Sequence, residues 1–439
     1  MIADHYAVHI SRLNTQYAQS LELAQQAGLP ADGVLLHSGI QHYYHADDRG
    51  IAFQAYGHFM HWLHVNQPDQ FLLVRPGEKP HYFQVVPADF WYEQDVENDP
   101  LWQENFHITR LSSVDELAAA LPEGDFLYCG ESPDQAVALG IKKAAVNPPT
   151  LIHALDYARA VKSEYELIQL REANRLALIG HEAARECFLA GGSEYDIHMA
   201  YLGACKILED DTPYTNIVAL NEKAAILHYQ NKRRGHAGSG QVLLIDAGYR
   251  VKGYGSDITR TTTSESTQAV FQSLVAGMEK LELELVDEVI PGKSYVDIHL
   301  SALGKIADLL LAHKICTGSV GDLLEKEIPQ LFMPHGVGHL LGIAVHDAGG
   351  HQQNAKGDLQ KPPAHSPMLR NTRLMEENMV FTIEPGCYFI PLLLEPERET
   401  VRGESINWKL IDELYSCGGI RIEDNVRVTT DGSENLTRG

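Results

Sequence analysis

The chain has 439 residues and a formal net charge of −24, with 44% hydrophobic and 21% charged residues. That composition suits a globular protein with a large core and excludes a predominantly disordered one. The acidic balance argues against nucleic acid or an anionic membrane as partner, and no apolar run approaches the ~20 residues of a membrane span.

Residues 1–157 read as a small α/β domain. The stretch 9–28 has helical periodicity, which Gly28-Leu29-Pro30 ends. The runs 33–39, 71–77 and 125–132 are short, apolar and punctuated by Gly or Pro, and predict strands. Residues 113–124 predict a helix capped by Ser113. Asn147-Pro148-Pro149 resists regular structure and marks a boundary. The first residues, MIADHYAVHI, lack the basic and apolar regions of a signal peptide. Cys129, Cys187, Cys205, Cys316, Cys387 and Cys417 form no CxxC pair and read as reduced thiols of a cytoplasmic protein.

Residues 158–439 have a different texture. Two amphipathic helices are parted by Gly191-Gly192, with Ser193 placed to cap the second. Strands are expected around 214–220 and 241–246. Two more helices follow, split by Pro291-Gly292, and then two alternating β-like runs, MVFTIEPGCYF and GIRIEDNVRVT. Two segments, 351–373 and 390–419, look like long inserted loops. Strands and helices mix without a βαβα rhythm, so the fold class is α+β.

Five short segments begin or end with a metal-ligating type: Asp246 in IDAG, Asp257 in SDITRT, His339 in HGVGHLLG, Glu384 in TIEPG and Glu423 in RIEDN. Taken singly, each reads as a turn or cap residue. Glycines between His335 and His339, and the absence of a following glutamate, exclude a helical zinc motif. Taken together, four carboxylates and one imidazole suit Mn²⁺, Co²⁺ or Zn²⁺. Four such charges cannot all ionise side by side unaided. Two divalent ions with a bridging hydroxide balance them.

The stretches IDAG…SDITRT, PHGVGHLLG…VHD, TIEPGCY and GIRIEDN resemble the pita-bread metallopeptidases, within them the bacterial Xaa-Pro dipeptidase (prolidase) branch that includes the organophosphorus acid anhydrolases. The resemblance spans the chain: a creatinase-like α/β domain over 1–157, then a pita-bread catalytic domain over 158–439. It implies that Asp246 binds one ion through both oxygens, that Asp257 and Glu423 bridge two ions, and that His339 and Glu384 bind the second. It further implies that Glu384 relays the proton, that the ions are Mn²⁺, and that His228, His335 and His346 face the substrate, with Tyr214 lining the pocket. Arg421 lies two residues before Glu423, on the same strand face, as a cation for a dipeptide's carboxylate. Homodimerisation is implied too, with Asp47 or Asp48 of one subunit meeting the substrate's free amine at the other's site. Hydrolysis of organophosphate P–F or P–O bonds is the expected side activity. An Xaa-Pro aminopeptidase acting on longer peptides is the alternative within the fold, and a metal-free binding module the alternative outside catalysis.

Overall fold

The computed structural model describes residues 2–94, 99–235 and 240–439. Two compact units emerge: residues 1–159 with 163–165 and 352–358, and residues 160–162 with 166–351 and 359–439. Among the described residues no helix is long and apolar enough to cross a membrane.

The first unit is built on a five-stranded mixed sheet of β1 (Gly33–His37), β2 (Phe71–Val74), β3 (His81–Val85), β4 (His107–Leu111) and β5 (Phe126–Cys129), in the order β4-β3-β2-β1-β5. β1 runs parallel to β5 and β3 to β4, while the two pairings of β2 are antiparallel. Leu35, Phe71, Leu73, Phe83 and Phe126 form a core beneath the sheet. The helix Ile2–Gln26 buries Tyr6, Ile10, Leu13, Tyr17 and Leu21 at helical spacing. β3 and β4 have no counterpart in the apolar-run reading. They carry His, Gln, Thr and Arg, so a search for apolar runs passes over them.

Two expectations need correction here. Ser113 makes no side-chain cap bond. Its neighbour Ser112 instead donates both its amide and its hydroxyl to Glu116, and the segment starts as a 3₁₀ turn before the short helix Leu117–Ala120. Pro149 does not block regular structure: it opens the helix Pro149–Arg159, where a missing N–H costs nothing.

The second unit packs helices against small antiparallel sheets. One sheet orders β10 (Thr259–Thr263), β7 (Val242–Asp246) and β6 (Ile217–Leu220). Another orders β11 (Val380–Ile383), β14 (Asp424–Val428) and β15 (Ser433–Asn435), and β12 (Gly386–Tyr388) pairs with β13 (Gly419–Arg421). Single bridges at Thr259↔Glu423 and Leu340↔Phe381 tie these pieces together. The helices Ala269–Asp287 and Tyr295–Ala312 bury Leu274, Met278, Leu285, Ile298, Leu303 and Ile306 in one continuous core with Phe381, Ile383, Cys387 and Ile420. Ser193 caps the helix Glu194–Cys205 through a full capping box with Asp196.

The segment 390–419 is not a loop. It holds the helices Pro391–Leu394 and Trp408–Leu414, and Asn407 caps the second by accepting the Leu410 amide. Leu394, Ile411 and Leu414 enter the core, which overrides the polar composition around them. The segment 351–373 does lack helices and strands, yet His351 Nε2 lies 2.8 Å from the Leu369 carbonyl and pins one part to another.

Candidate metal centre

Strand geometry brings the motif acids together. Asp246 ends β7, directly opposite Thr259 of β10 and Ile217 of β6. A hairpin of β8 (Arg250–Val251) and β9 (Tyr254–Gly255) separates Asp246 from Asp257. Its turn places Lys252 at φ 49° and Gly253 at φ 89°, the left-handed pair of a tight hairpin. Gly253 therefore makes the reversal, while Gly255 sits in β9. Asp257 then precedes β10, its amide held by Asn425 Oδ1 at 3.0 Å. Glu384 follows β11, and Glu423 lies between β13 and β14, its amide 3.1 Å from the Thr259 carbonyl.

His339 reaches the same point because Gly338 permits it. Gly338 has φ 153°, and a Cβ there would lie 2.2 Å from the Thr382 carbonyl oxygen and 2.3 Å from Tyr295 Oη. Only glycine lets this loop approach β11 so closely. The His339 amide then donates to Thr382 Oγ1 at 3.1 Å.

All five residues line one cavity of about 390 Å³, with Tyr214, His228, His335, His346 and Arg421 on the same wall. Asp257, His339 and Glu423 each offer a donor atom, all within 4.8 Å of one another. Asp47 lies in the first unit, exposed, where its carboxylate accepts the Arg49 amide at 3.1 Å; neither it nor Asp48 lines the cavity.

The donor set fits a divalent cation on two grounds. The first is charge. Burial, then the charges of Asp257, Glu384 and Asp246, hold the Glu423 carboxyl well above its usual range. Burial pushes Glu384 up to about 7 against the opposing pull of His339 and Arg421. Asp246 rises to about 6 from burial first and then the charge of Asp257. Four clustered acids thus exceed the positive charge their neighbours supply. The second ground is the His339 tautomer. Its Nδ1 lies 3.0 Å from the Leu340 carbonyl, which can only accept, so Nδ1 carries the hydrogen. Nε2 is thereby turned to Asp257 Oδ2 at 3.4 Å and Glu384 Oε1 at 3.6 Å. Burial lowers this imidazole, but the hydrogen bond to Asp257 and the charge of Glu384 outweigh it and hold the group above its usual range, so in the metal-free chain a proton on Nε2 fills the place between the carboxylates that a cation would take.

Arg421 stands differently from the free carboxylate anchor expected of it. Its Nη2 donates to Asp246 Oδ2 at 2.7 Å, its Nε to Thr259 Oγ1 at 3.0 Å, and its Nη1 to Tyr388 Oη at 2.9 Å. Tyr214 Oη holds the other oxygen of Asp246 at 2.6 Å. His335 is similarly engaged. Its Nδ1 lies 2.7 Å from the Gly336 carbonyl and its Nε2 2.9 Å from Tyr388 Oη. Burial, reinforced by the charge of Arg421, pushes this imidazole down to about 3, so it is neutral. Tyr388, the last residue of TIEPGCY, therefore links Arg421 to His335, a role that sequence reasoning missed. A tyrosine at alternating β spacing gives no sign of it. His346 lies at the cavity rim, its ring centre 4.3 Å from that of His339.

Arg370 was missed as well. It lines the cavity, is exposed, and makes no side-chain hydrogen bond or ion pair among the described residues. Its place inside the Pro-rich stretch 351–373 hid it. No signal singled it out, because the stretch also carries Lys356, Lys361 and Arg373.

The family model described as "Metallopeptidase family M24" matches residues 168–430, and the one described as "Xaa-Pro dipeptidase, N-terminal domain" matches residues 4–157. Proteins named Xaa-Pro dipeptidase from Shewanella baltica and Pseudoalteromonas atlantica are 41% and 40% identical over 440 and 442 residues, covering 100% of this chain and 98% of each relative. Among solved structures, aminopeptidase PepP of Pseudomonas aeruginosa superposes with a TM-score of 0.73 at 22% identity, over 97% of this chain and 94% of that one. Zinc-substituted aminopeptidase P of Escherichia coli, solved with product, gives 0.71 at 22% identity over 97% and 95%. These structural likenesses support the pita-bread architecture.

Proposed function

Because the chain belongs to metallopeptidase family M24, we propose that it is a dinuclear metallo-dipeptidase that hydrolyses Xaa-Pro dipeptides. The observation that carries this reading is the charge imbalance of the cavity: four carboxylates face it, and the buried cation Arg421 is bonded to Asp246. Asp246, Asp257, His339, Glu384 and Glu423 would hold two divalent ions, for which we assign Mn²⁺. When bound, such ions acidify a water molecule to a nucleophile and polarise the scissile carbonyl.

The side chains supply the rest. Glu384 takes the proton of the attacking water and returns it to the prolyl nitrogen as that nitrogen leaves. His346 donates to the oxyanion that develops on the former carbonyl. Tyr214 and Arg421 grip opposite oxygens of Asp246 and fix its orientation. His335, neutral, with Nδ1 on the Gly336 carbonyl and Nε2 on Tyr388, stands beside Glu384 as a wall of the substrate cavity. His228 and Arg370 line the substrate's approach. Arg370, without a side-chain hydrogen bond or ion pair among the described residues, receives the dipeptide's carboxylate. This moves the anchoring role originally read into Arg421 onto another cation.

The finer assignments follow from the same reading. A tetrahedral phosphorus centre fits the same polarising clamp, so organophosphate P–F or P–O hydrolysis is a side activity, checked by fluoride release. In a homodimer, Asp47 meets the substrate's free amine at the partner subunit's site. Unchanged KM in both Asp47→Ala and Asp48→Ala would remove that assignment. The free state of all six cysteines supports the cytoplasm as compartment.

The test is substrate length. Gly-Pro and a Gly-Pro-Pro-type tripeptide are assayed with Mn²⁺. Cleavage of the dipeptide alone supports the dipeptidase, and equal or faster tripeptide cleavage moves the chain to the aminopeptidase alternative. Arg370→Met should raise dipeptide KM about tenfold or more, the cost of one charge-assisted contact.

A further inference from the structure

The ITRT stretch after Asp257 supplies an arginine that the mechanism does not use. Arg260 Nη1 donates to the carbonyls of both Thr259 and Glu423, at 2.9 and 2.8 Å, across the single bridge that joins β10 to the Glu423 segment. Its Nη2 donates to Asp424 Oδ1 at 2.7 Å. The fork therefore clips together the backbone on which Asp257 and Glu423 are mounted. Inside that clip, Thr259 Oγ1 donates to Glu423 Oε2 at 2.6 Å.

A further layer holds Arg260 in place. The Asp424 side chain is fully buried, and its other oxygen accepts from Arg438 Nε at 2.5 Å and Asn435 Nδ2 at 2.7 Å. Arg438 Nη1 donates to Glu279 at 2.8 Å, and Nη2 stands 3.7 Å from Glu282 Oε2. Glu282, on the core helix Ala269–Asp287, is wholly buried, and among the described residues neither carboxyl oxygen has a hydrogen bond. The series thus runs from a core helix through Arg438 and Asp424 to Arg260, and ends on the carbonyl of Glu423. A planar guanidinium satisfies two carbonyls and a carboxylate at once, and an ammonium cannot reproduce that fork.

We propose that Arg260 is a positioning residue for the metal centre: with Asp424 and Arg438 behind it, it fixes Glu423 relative to Asp257, so that the carboxylates are held ready for divalent ions. The inference rests on the metal reading above, and its test separates the two.

Chelator-stripped full-length wild type and Arg260→Lys are titrated with Mn²⁺ by calorimetry, and thermal unfolding of the metal-free forms is recorded beside it. Arg260→Lys keeps the charge and loses the fork. Expected is a metal affinity about 10–100-fold weaker, the range for partners that orient ligands. Dipeptide KM at saturating Mn²⁺ stays near wild type while kcat falls. A lowered unfolding temperature with unchanged metal affinity overturns the inference, because it marks a merely structural arginine. If Arg260→Lys does not fold, Arg438→Gln reads the same series one step back: a weaker affinity in the same direction supports the inference, and wild-type affinity overturns it. A wild type that takes up no divalent ion overturns the metal reading and this inference together.

Discussion

Glu423 and Asp424 are consecutive, both buried, and set in opposite electrostatic surroundings. Burial raises both carboxyls. For Asp424 the charges of Arg260 and Arg438 outweigh burial, and the group ends below its usual range. For Glu423 three more acids add to burial and outweigh the charge of Arg421. One side of this chain segment is thus a completed ion-pair network, and the other is a cavity with too little positive charge. The contrast teaches how to tell a structural acid from one held for a cation: the first has its partner in the chain, while the second is kept from having one. Arg421, bonded to Asp246, Thr259 and Tyr388, does not neutralise the cavity.

Substitutions can break that contrast from either side. Glu423→Gln should lower dipeptide hydrolysis by about 10³-fold or more, and the metal-free variant should melt no lower than the metal-free wild type, since the buried carboxyl, held well above its usual range, is already neutral there and glutamine matches its size. Asp424→Asn should behave oppositely. It leaves the partly exposed guanidinium groups of Arg260 and Arg438 without their carboxylate, and the expected cost is about 1–3 kcal/mol of stability, read by denaturant unfolding. If both variants destabilise the stripped chain equally, the contrast is wrong.

pH sharpens the comparison. The Glu384 and Asp246 pKa values lie near 7 and 6, above their unfolded values. In the stripped chain these groups add stability that is present in acid and is lost as pH rises through about 6 to 7. Ion binding needs the same groups deprotonated. The gain in Tm on adding Mn²⁺ should therefore widen as pH rises from about 5.5 to about 8, by up to about 1.4 kcal/mol per pH unit for each proton released. A gain that is flat or shrinks over that range contradicts the assignment. Taking the difference between loaded and stripped protein cancels groups outside the cavity such as His81 of β3, which burial lowers. The smallest effect is expected from Tyr388→Phe, which removes the link between Arg421 and His335 and should lower kcat about fivefold with little change in Tm.

Much of the architecture was legible because the relevant signals are local. Glycine pairs, the Ser193 cap and the alternation in MVFTIEPGCYF and GIRIEDNVRVT mark elements where they stand. The acids at strand ends could be picked out for the same reason. What escaped was long-range or cryptic. Arg421 meets Asp246 across 175 residues, and no spacing rule shows that the pair forms. The helices within 390–419 owe their place to core contacts of Leu394, Ile411 and Leu414 rather than to a clean periodic pattern. β3 and β4 were hidden by polar residues, and Arg370 by a stretch without regular structure.

The central claim is that the cavity's missing positive charge is supplied by two metal ions that make the chain a dipeptidase. Its most direct test removes all metal with chelator, restores Mn²⁺ in steps, and counts bound ions by elemental analysis while Xaa-Pro dipeptide hydrolysis is followed in the same samples. The account predicts uptake that saturates at about two ions per chain, with hydrolysis appearing as they bind. Full hydrolysis by the stripped chain, or a chain that takes up no divalent ion when Mn²⁺ is restored, would contradict it.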